Sequence, residues 1–149
     1  MTAYQYRFEK VLSFREQQKT ETEIEYKNAI QAFEEVATKL YDLLKKKEDV
    51  FNKQQERMAI GFSINDIHHY SRFIGSLEKK IAELQQQVMQ ARSKMNWYED
   101  KLLEKTLEVR KYEKMKENDQ EHHRAEEEQL EAIRLDELST LKYRRRENG

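Results

Sequence analysis

Arg57-Met-Ala-Ile-Gly-Phe-Ser-Ile-Asn-Asp-Ile-His-His-Tyr70 holds one of only three glycines in a chain of 149 residues that contains no proline. Gly61 suits the left-handed position just past a helix end, and Phe62 can fold back onto the last turn. Ser63-Ile-Asn-Asp66 then reads as a capping box, in which the Ser63 hydroxyl accepts a backbone N–H and Asp66 reaches back. The stretch therefore predicts one tight reversal between two long helices. Thr2-Ala-Tyr-Gln5 offers a similar start to the first of them. The expected boundaries are helix one from about residue 3 to 60, a turn over 61–63, and helix two from about 64 to 143.

Composition supports a chain that is helical almost throughout, because turn-forming residues are nearly absent. Charged residues make up 38% and hydrophobic ones 37%, yet the formal net charge is only −1, so like-charge repulsion does not favour disorder. The apolar residues are spread thinly, which argues for a long narrow seam rather than a thick core. The expected fold is all-α, a two-helix antiparallel coiled-coil hairpin forming a single elongated domain over 1–149. Without cysteine there is neither a disulfide framework nor a thiolate site, and cytoplasm is the expected compartment. The longest apolar run, Met58 to Phe62, is far too short for a membrane helix, and no signal-peptide core precedes the first helix. Direct membrane insertion is not expected.

Stepping alternately by four and three from Phe8 lands on Leu12, Arg15, Lys19, Thr22, Tyr26, Ala29, Phe33, Val36, Leu40, Leu43, Lys47 and Val50. The same steps from Tyr70 land on Ile74, Leu77, Ile81, Leu84, Val88, Ala91, Met95, Tyr98, Leu102, Lys105, Val109 and Tyr112. These are heptad seams, the first punctuated by polar residues of the kind that fix register at some cost in stability. In a hairpin turning at Gly61, the numbers of facing residues total roughly 124, which sets Thr2 or Ala3 level with about residue 121. At about 1.5 Å per residue, the paired rod would be near 85 Å long and helix two would overhang by roughly 30 Å.

The sequence beyond Tyr112 agrees with an overhang. Lys116-Glu-Asn-Asp-Gln-Glu-His-His-Arg-Ala-Glu-Glu-Glu128 is almost wholly polar, as a lone helix in water requires. Further on, Leu130, Ile133, Leu138 and Leu141 fall within about 140° of one another on a helical wheel, broadened by Leu135 and Tyr143. This stripe has nothing of its own chain to cover it. The chain then closes with Arg144-Arg-Arg146-Glu-Asn-Gly149.

Catalytic chemistry is not expected of this chain. It has no Gly-rich phosphate loop, His-Glu-x-x-His pair or nucleophile elbow, and a two-helix rod offers no deep pocket. His122 with Glu126 and His123 with Glu127 have helical i, i+4 spacing, read as solvated ion pairs, so no metal and no cofactor is expected. His68 and His69 carry no motif. The basic runs Lys45–Lys47 and Arg144–Arg146 are short and set in a chain of nearly balanced charge, which argues against nucleic-acid binding. Large apolar residues off the seam are more informative: Phe14, Trp97 and Leu103 fall at outward heptad positions, while Phe73 flanks the seam beside Gly75. Several outward aromatics point to docking on a partner.

The N-terminal residues Tyr6-Arg-Phe-Glu-Lys-Val-Leu-Ser-Phe-Arg-Glu16 resemble the opening of the FliJ family, the soluble stalk-like component of the flagellar type III export apparatus. The chain length, the off-centre hairpin and Leu135-Asp-Glu-Leu138 near the basic end resemble that family too. The resemblance implies a nonenzymatic rod, similar in shape to the central stalk of rotary ATPases, that binds and stimulates a hexameric export ATPase. It implies contact with the cytoplasmic domain of the membrane export gate, recycling of export chaperones, and peripheral association with the membrane through these partners. Carried onto this chain, Phe8, Val11, Leu12 and Arg15 match the family's opening and are expected near the ATPase, with Phe14 beside them. Leu130, Ile133, Leu138 and Leu141 are the candidate docking stripe. Phe73 and Leu77 have a compatible position and spacing for the gate contact. An export chaperone shielding amphipathic substrate segments is the alternative, and a plain coiled-coil spacer a third.

Overall fold

In the computed structural model, which describes residues 3–148, the two seams meet as the heptads require. Helix α1 runs Glu9–Met58 and helix α2 runs Ile64–Asn148, and the two pack antiparallel with α2 the longer. Every seam position named above is buried or half-buried, including the polar Arg15, Lys19, Lys47 and Lys105, while almost everything between them is exposed. A period of 3.5 residues keeps one edge of each helix against the other, so this pattern is what a coiled coil must show.

The reversal has the predicted glycine stop and serine cap. Gly61 takes φ +122, where no side chain other than its hydrogen is comfortable, and its N–H donates to the Arg57 carbonyl at 3.1 Å, closing the end of α1. The Asp66 N–H donates to Ser63 Oγ at 3.2 Å, capping the start of α2. Phe62 differs from expectation: it turns toward α2 and lies 5.3 Å from the Tyr70 ring, because a residue just before an N-cap is directed along the helix that follows. The second glycine of the pair near the turn is an ordinary helical one, and a Cβ added at Gly75 would meet nothing within 4 Å. Thermal unfolding should therefore separate the two. Gly75→Ala should stabilise by about 0.5–1 kcal/mol, whereas Gly61→Val should destabilise by about 1–2 kcal/mol by forcing a β-branched residue to positive φ.

By internal packing the chain divides into two units, Thr20–Leu103 and Met1–Lys19 with Glu104–Gly149. Within Thr20–Leu103, the innermost side chains are Ala29, Leu77 and Ile81, with Thr22 a buried polar member of the seam. Lys47 Nζ reaches Glu78 at 3.4 Å, and the Arg92 guanidinium stands 5.5 Å over the Phe33 ring. Each of these pairs totals within one of the register expected from the turn.

The other unit departs from the sequence reading at its N-terminus. Helix α1 begins at Glu9, about six residues later than expected, and residues 3–6 carry no helix. Thr2, the expected cap, lies outside the described residues. Tyr4, Tyr6 and Phe8 alternate along this segment, a period-two pattern that sends every second ring to the same side of an extended chain. Tyr6, Leu12 and Val109 form the buried cluster, with Tyr4, Phe8 and Tyr112 packed against it. At its other end α2 continues to Asn148, past the expected stop near 143. Among the described residues, no helix is long and apolar enough to cross a membrane.

Candidate functional site

The unit formed by Met1–Lys19 and Glu104–Gly149 carries most of the expected contact residues. Its N-terminal strap is tied to α2 through polar tips as well as rings. The Tyr6 hydroxyl donates to the Tyr112 carbonyl at 3.1 Å, and the Tyr4 hydroxyl donates to Asp119 Oδ2 at 3.0 Å. Tyr4 also stacks at 5.3 Å on His123, and Lys116 Nζ meets Glu9 at 2.9 Å. A carbonyl inside a helix is already engaged with its own ladder, so the Tyr6 hydroxyl uses the second lone pair, which lets the ring approach α2 closely. Loss of solvent and the bond to Asp119 push the Tyr4 phenol from 10.0 up to about 12. A raised folded-state value means that the folded chain holds its proton more firmly. Tyr4's contribution to the strap's stability should then be complete below pH 10 and fall away between about 10 and 12, and Tyr4→Phe should lessen the alkaline loss in melting curves, the rest coming from Tyr6, whose phenol is also raised.

Just beyond the strap α2 is bare. Every described residue from Arg124 onward is exposed, and polar side chains on this stretch of α2 meet along the helix: His122 with Glu126 at 3.1 Å, His123 with Glu127 at 3.4 Å and Arg124 with Glu128 at 3.0 Å. Exposed i, i+4 pairs of this kind contribute little individually, but they support a helix that has no partner. Leu130, Ile133, Leu138 and Leu141 remain 48–66% exposed. Pairing ends at His123, close to the expected residue 121, because the strap reaches slightly further along α2 than a helix of the same residues would.

Depressions in this unit are shallow and open, one lined by Tyr4, Tyr6, Arg7, Glu9 and Lys116. Among the described residues no group of three His, Cys, Asp or Glu is placed to hold a metal ion.

The sequence model described as "Flagellar FliJ protein" matches residues 4–148. The chain belongs to the FliJ family. A "Flagellar FliJ protein" of Bacillus subtilis (strain 168) is 33% identical over 141 residues, covering 95% of this chain and 96% of that protein. No solved structure matches significantly. The matched span takes in both the strap and the bare end of α2, so these features belong to the FliJ part of the chain.

Within this FliJ protein the expected contact residues fall into two physical classes. Leu12 is 4% exposed and Phe8 packs its ring edge-on against Tyr6 at 5.9 Å, so both spend their surface on holding the strap and α2 together. Val11 is half-buried beside them. Phe14 is 54% exposed, with the Arg15 guanidinium 5.9 Å from its ring. Arg15 itself is held by Gln18 at 3.1 Å and faces Glu108, its Nε 3.7 Å from the carboxylate, too far for a hydrogen bond. Phe14 thus points outward, with the half-buried Arg15 between it and Glu108 of α2 and with Phe8 and Leu12 in the packed layer beside them. In the other unit Leu77 is 3% exposed in the seam, and Phe73 is half-open with Lys46 Nζ 5.5 Å over its ring. Only Phe73 of these two offers a face to a partner. Tyr4 and Tyr6 are not among the contact residues expected from sequence, although Tyr6 opens the family-like motif and their alternation with Phe8 is the available signal.

Proposed function

We propose that this FliJ-family flagellar protein is a nonenzymatic stalk of the flagellar type III export apparatus, serving flagellum assembly and motility. It binds and stimulates the hexameric export ATPase, and links that ring to the cytoplasmic domain of the membrane export gate and to export chaperones. On this reading it works in the cytoplasm, associated with the membrane only through those partners, and behaves as one elongated domain. The observation that supports it best is the bare end of α2, where Leu130, Ile133, Leu138 and Leu141 stay exposed on a helix with no covering segment. Apolar side chains on one face gain by burial, whereas the Glu-rich turn before them gains nothing. A lone helix with such a face can enter a ring's axial channel, and its asymmetry lets it meet successive subunits unequally. Phe14 with Arg15 supplies a second contact in the same unit, and Phe73 the contact to the gate.

Turnover of the hexameric export ATPase, measured with and without this protein, tests the reading. Stimulation is expected, with no hydrolysis by the protein alone. An indifferent ATPase, together with binding to isolated export-substrate helices, would favour the chaperone alternative instead.

A further inference from the structure

The face that carries the apolar stripe has an order that docking by an arbitrary apolar groove does not require. Counting at about 100° per residue, Glu126, Glu127, Arg134, Glu137, Arg144 and Arg145 fall on the same side of α2 as the four apolar residues. Along that face the order is two carboxylates, two apolar residues, a cation, a carboxylate, two apolar residues, then two cations. Reversed end for end about a point between Leu135 and Asp136, the apolar positions map onto one another, Leu130 onto Leu141 and Ile133 onto Leu138. Each charge maps onto its opposite: Glu126 onto Arg145, Glu127 onto Arg144, and Arg134 onto Glu137.

From this we infer that the bare end of α2 pairs antiparallel with the same segment of a second copy of this chain. A two-fold axis through the midpoint makes such an interface isologous, so each complementary pair occurs twice. Parallel pairing would set Glu126 on Glu126 and Arg145 on Arg145 and is disfavoured by like charge. An uncharged apolar groove would bury Arg134 and Glu137 without partners, a costly arrangement that the second copy avoids. The His122 and His123 bonds to Glu126 and Glu127 do not block this, because each carboxylate has a second oxygen to offer. The segment spans about 20 residues, near 30 Å of helix, so the interface is small and the association weak, with Kd on the order of 10–100 µM. The same residues serve the proposed ATPase contact, but the pairing does not rest on it.

Sedimentation equilibrium of the full chain should show a monomer–dimer equilibrium that weakens at high salt. The decisive test is charge reversal in two variants. Glu126→Arg with Glu127→Arg makes both ends of the face basic; Arg144→Glu with Arg145→Glu makes both ends acidic. Each variant alone should lose self-association by at least about tenfold, and an equimolar mixture of the two should form a heterodimer. Because the chain lacks cysteine, Gln120→Cys can carry a single spin label. Antiparallel pairing places the two labels about 45 Å apart, and parallel pairing places them within about 15 Å. A folded wild-type chain that stays monomeric to about 500 µM overturns the inference, as do variants that fail to associate on mixing while circular dichroism shows both to be helical. A short label distance overturns it equally.

Discussion

Leu77→Ala should lower the unfolding free energy by about 2–4 kcal/mol, at the lower part of the range for buried leucines. Leu77 is 3% exposed, but no described side chain is below 2%, which reflects a seam only one helix thick on each side. A cavity opened there lies close to solvent, so neighbouring side chains and water can relax into it. Ile81→Val, one turn further on, should cost about 0.5–1.5 kcal/mol by the same mechanism. Trp97→Ala is the control. Its ring is 55% exposed, touches Tyr98 at 5.0 Å and sits under Lys101 at 5.3 Å, so removing it gives up surface contacts without opening the seam. Its loss should stay near 1 kcal/mol or less. A urea titration in which Trp97→Ala proved more destabilising than Leu77→Ala would mean that the wrong edge of α2 faces α1.

The double substitution Leu138→Asp with Leu141→Asp should act in the opposite sense, sparing the fold and removing the function. These residues lie well past His123, the last half-buried position on α2, so hairpin melting should move by little more than the lower helix propensity of aspartate in a solvent-exposed turn. ATPase affinity should fall by roughly a hundredfold or more, since about 3 kcal/mol of apolar burial is replaced by two carboxylates facing a covered surface. Stimulation of turnover should fall with it. Arg144 and Arg145 should contribute a salt-sensitive part of the same association. Phe8→Ala distinguishes the two chain ends: its ring helps hold the strap on Tyr112, 6.3 Å away, so its effect on the ATPase should accompany a loss of stability.

The hairpin was legible in the sequence because two independent signals agreed. The heptads gave each helix one apolar edge, and the Gly61 to Asp66 stretch supplied both a stop and a start. That agreement also fixed the register, as Lys47 with Glu78 and Glu9 with Lys116 bear out. The strap was not legible in the same way. Helical stepping absorbs Phe8 and Leu12 but passes over Tyr4 and Tyr6, whose alternation has a different period and covers too few residues to outweigh a plausible N-cap at Thr2. The candidate docking stripe was visible because Leu130 to Leu141 has helical spacing and no facing segment. Exposure on the folded chain then separates Phe14 and Phe73, which offer surface, from Leu12 and Leu77, which do not. Heptad position alone distinguishes such residues only when the register is known to the residue.

Backbone hydrogen exchange of this FliJ protein with and without the hexameric export ATPase tests the central claim most directly. At a concentration well below the range of self-association, the amides of residues 124–146 should exchange quickly in the free protein, since that part of α2 has no tertiary partner, and should slow by at least about tenfold in the complex. The seam around Leu77 should change little. If residues 130–141 exchange at the same rate in both states while the Phe14 face becomes protected, the bare end of α2 is not the ATPase contact and the account is contradicted.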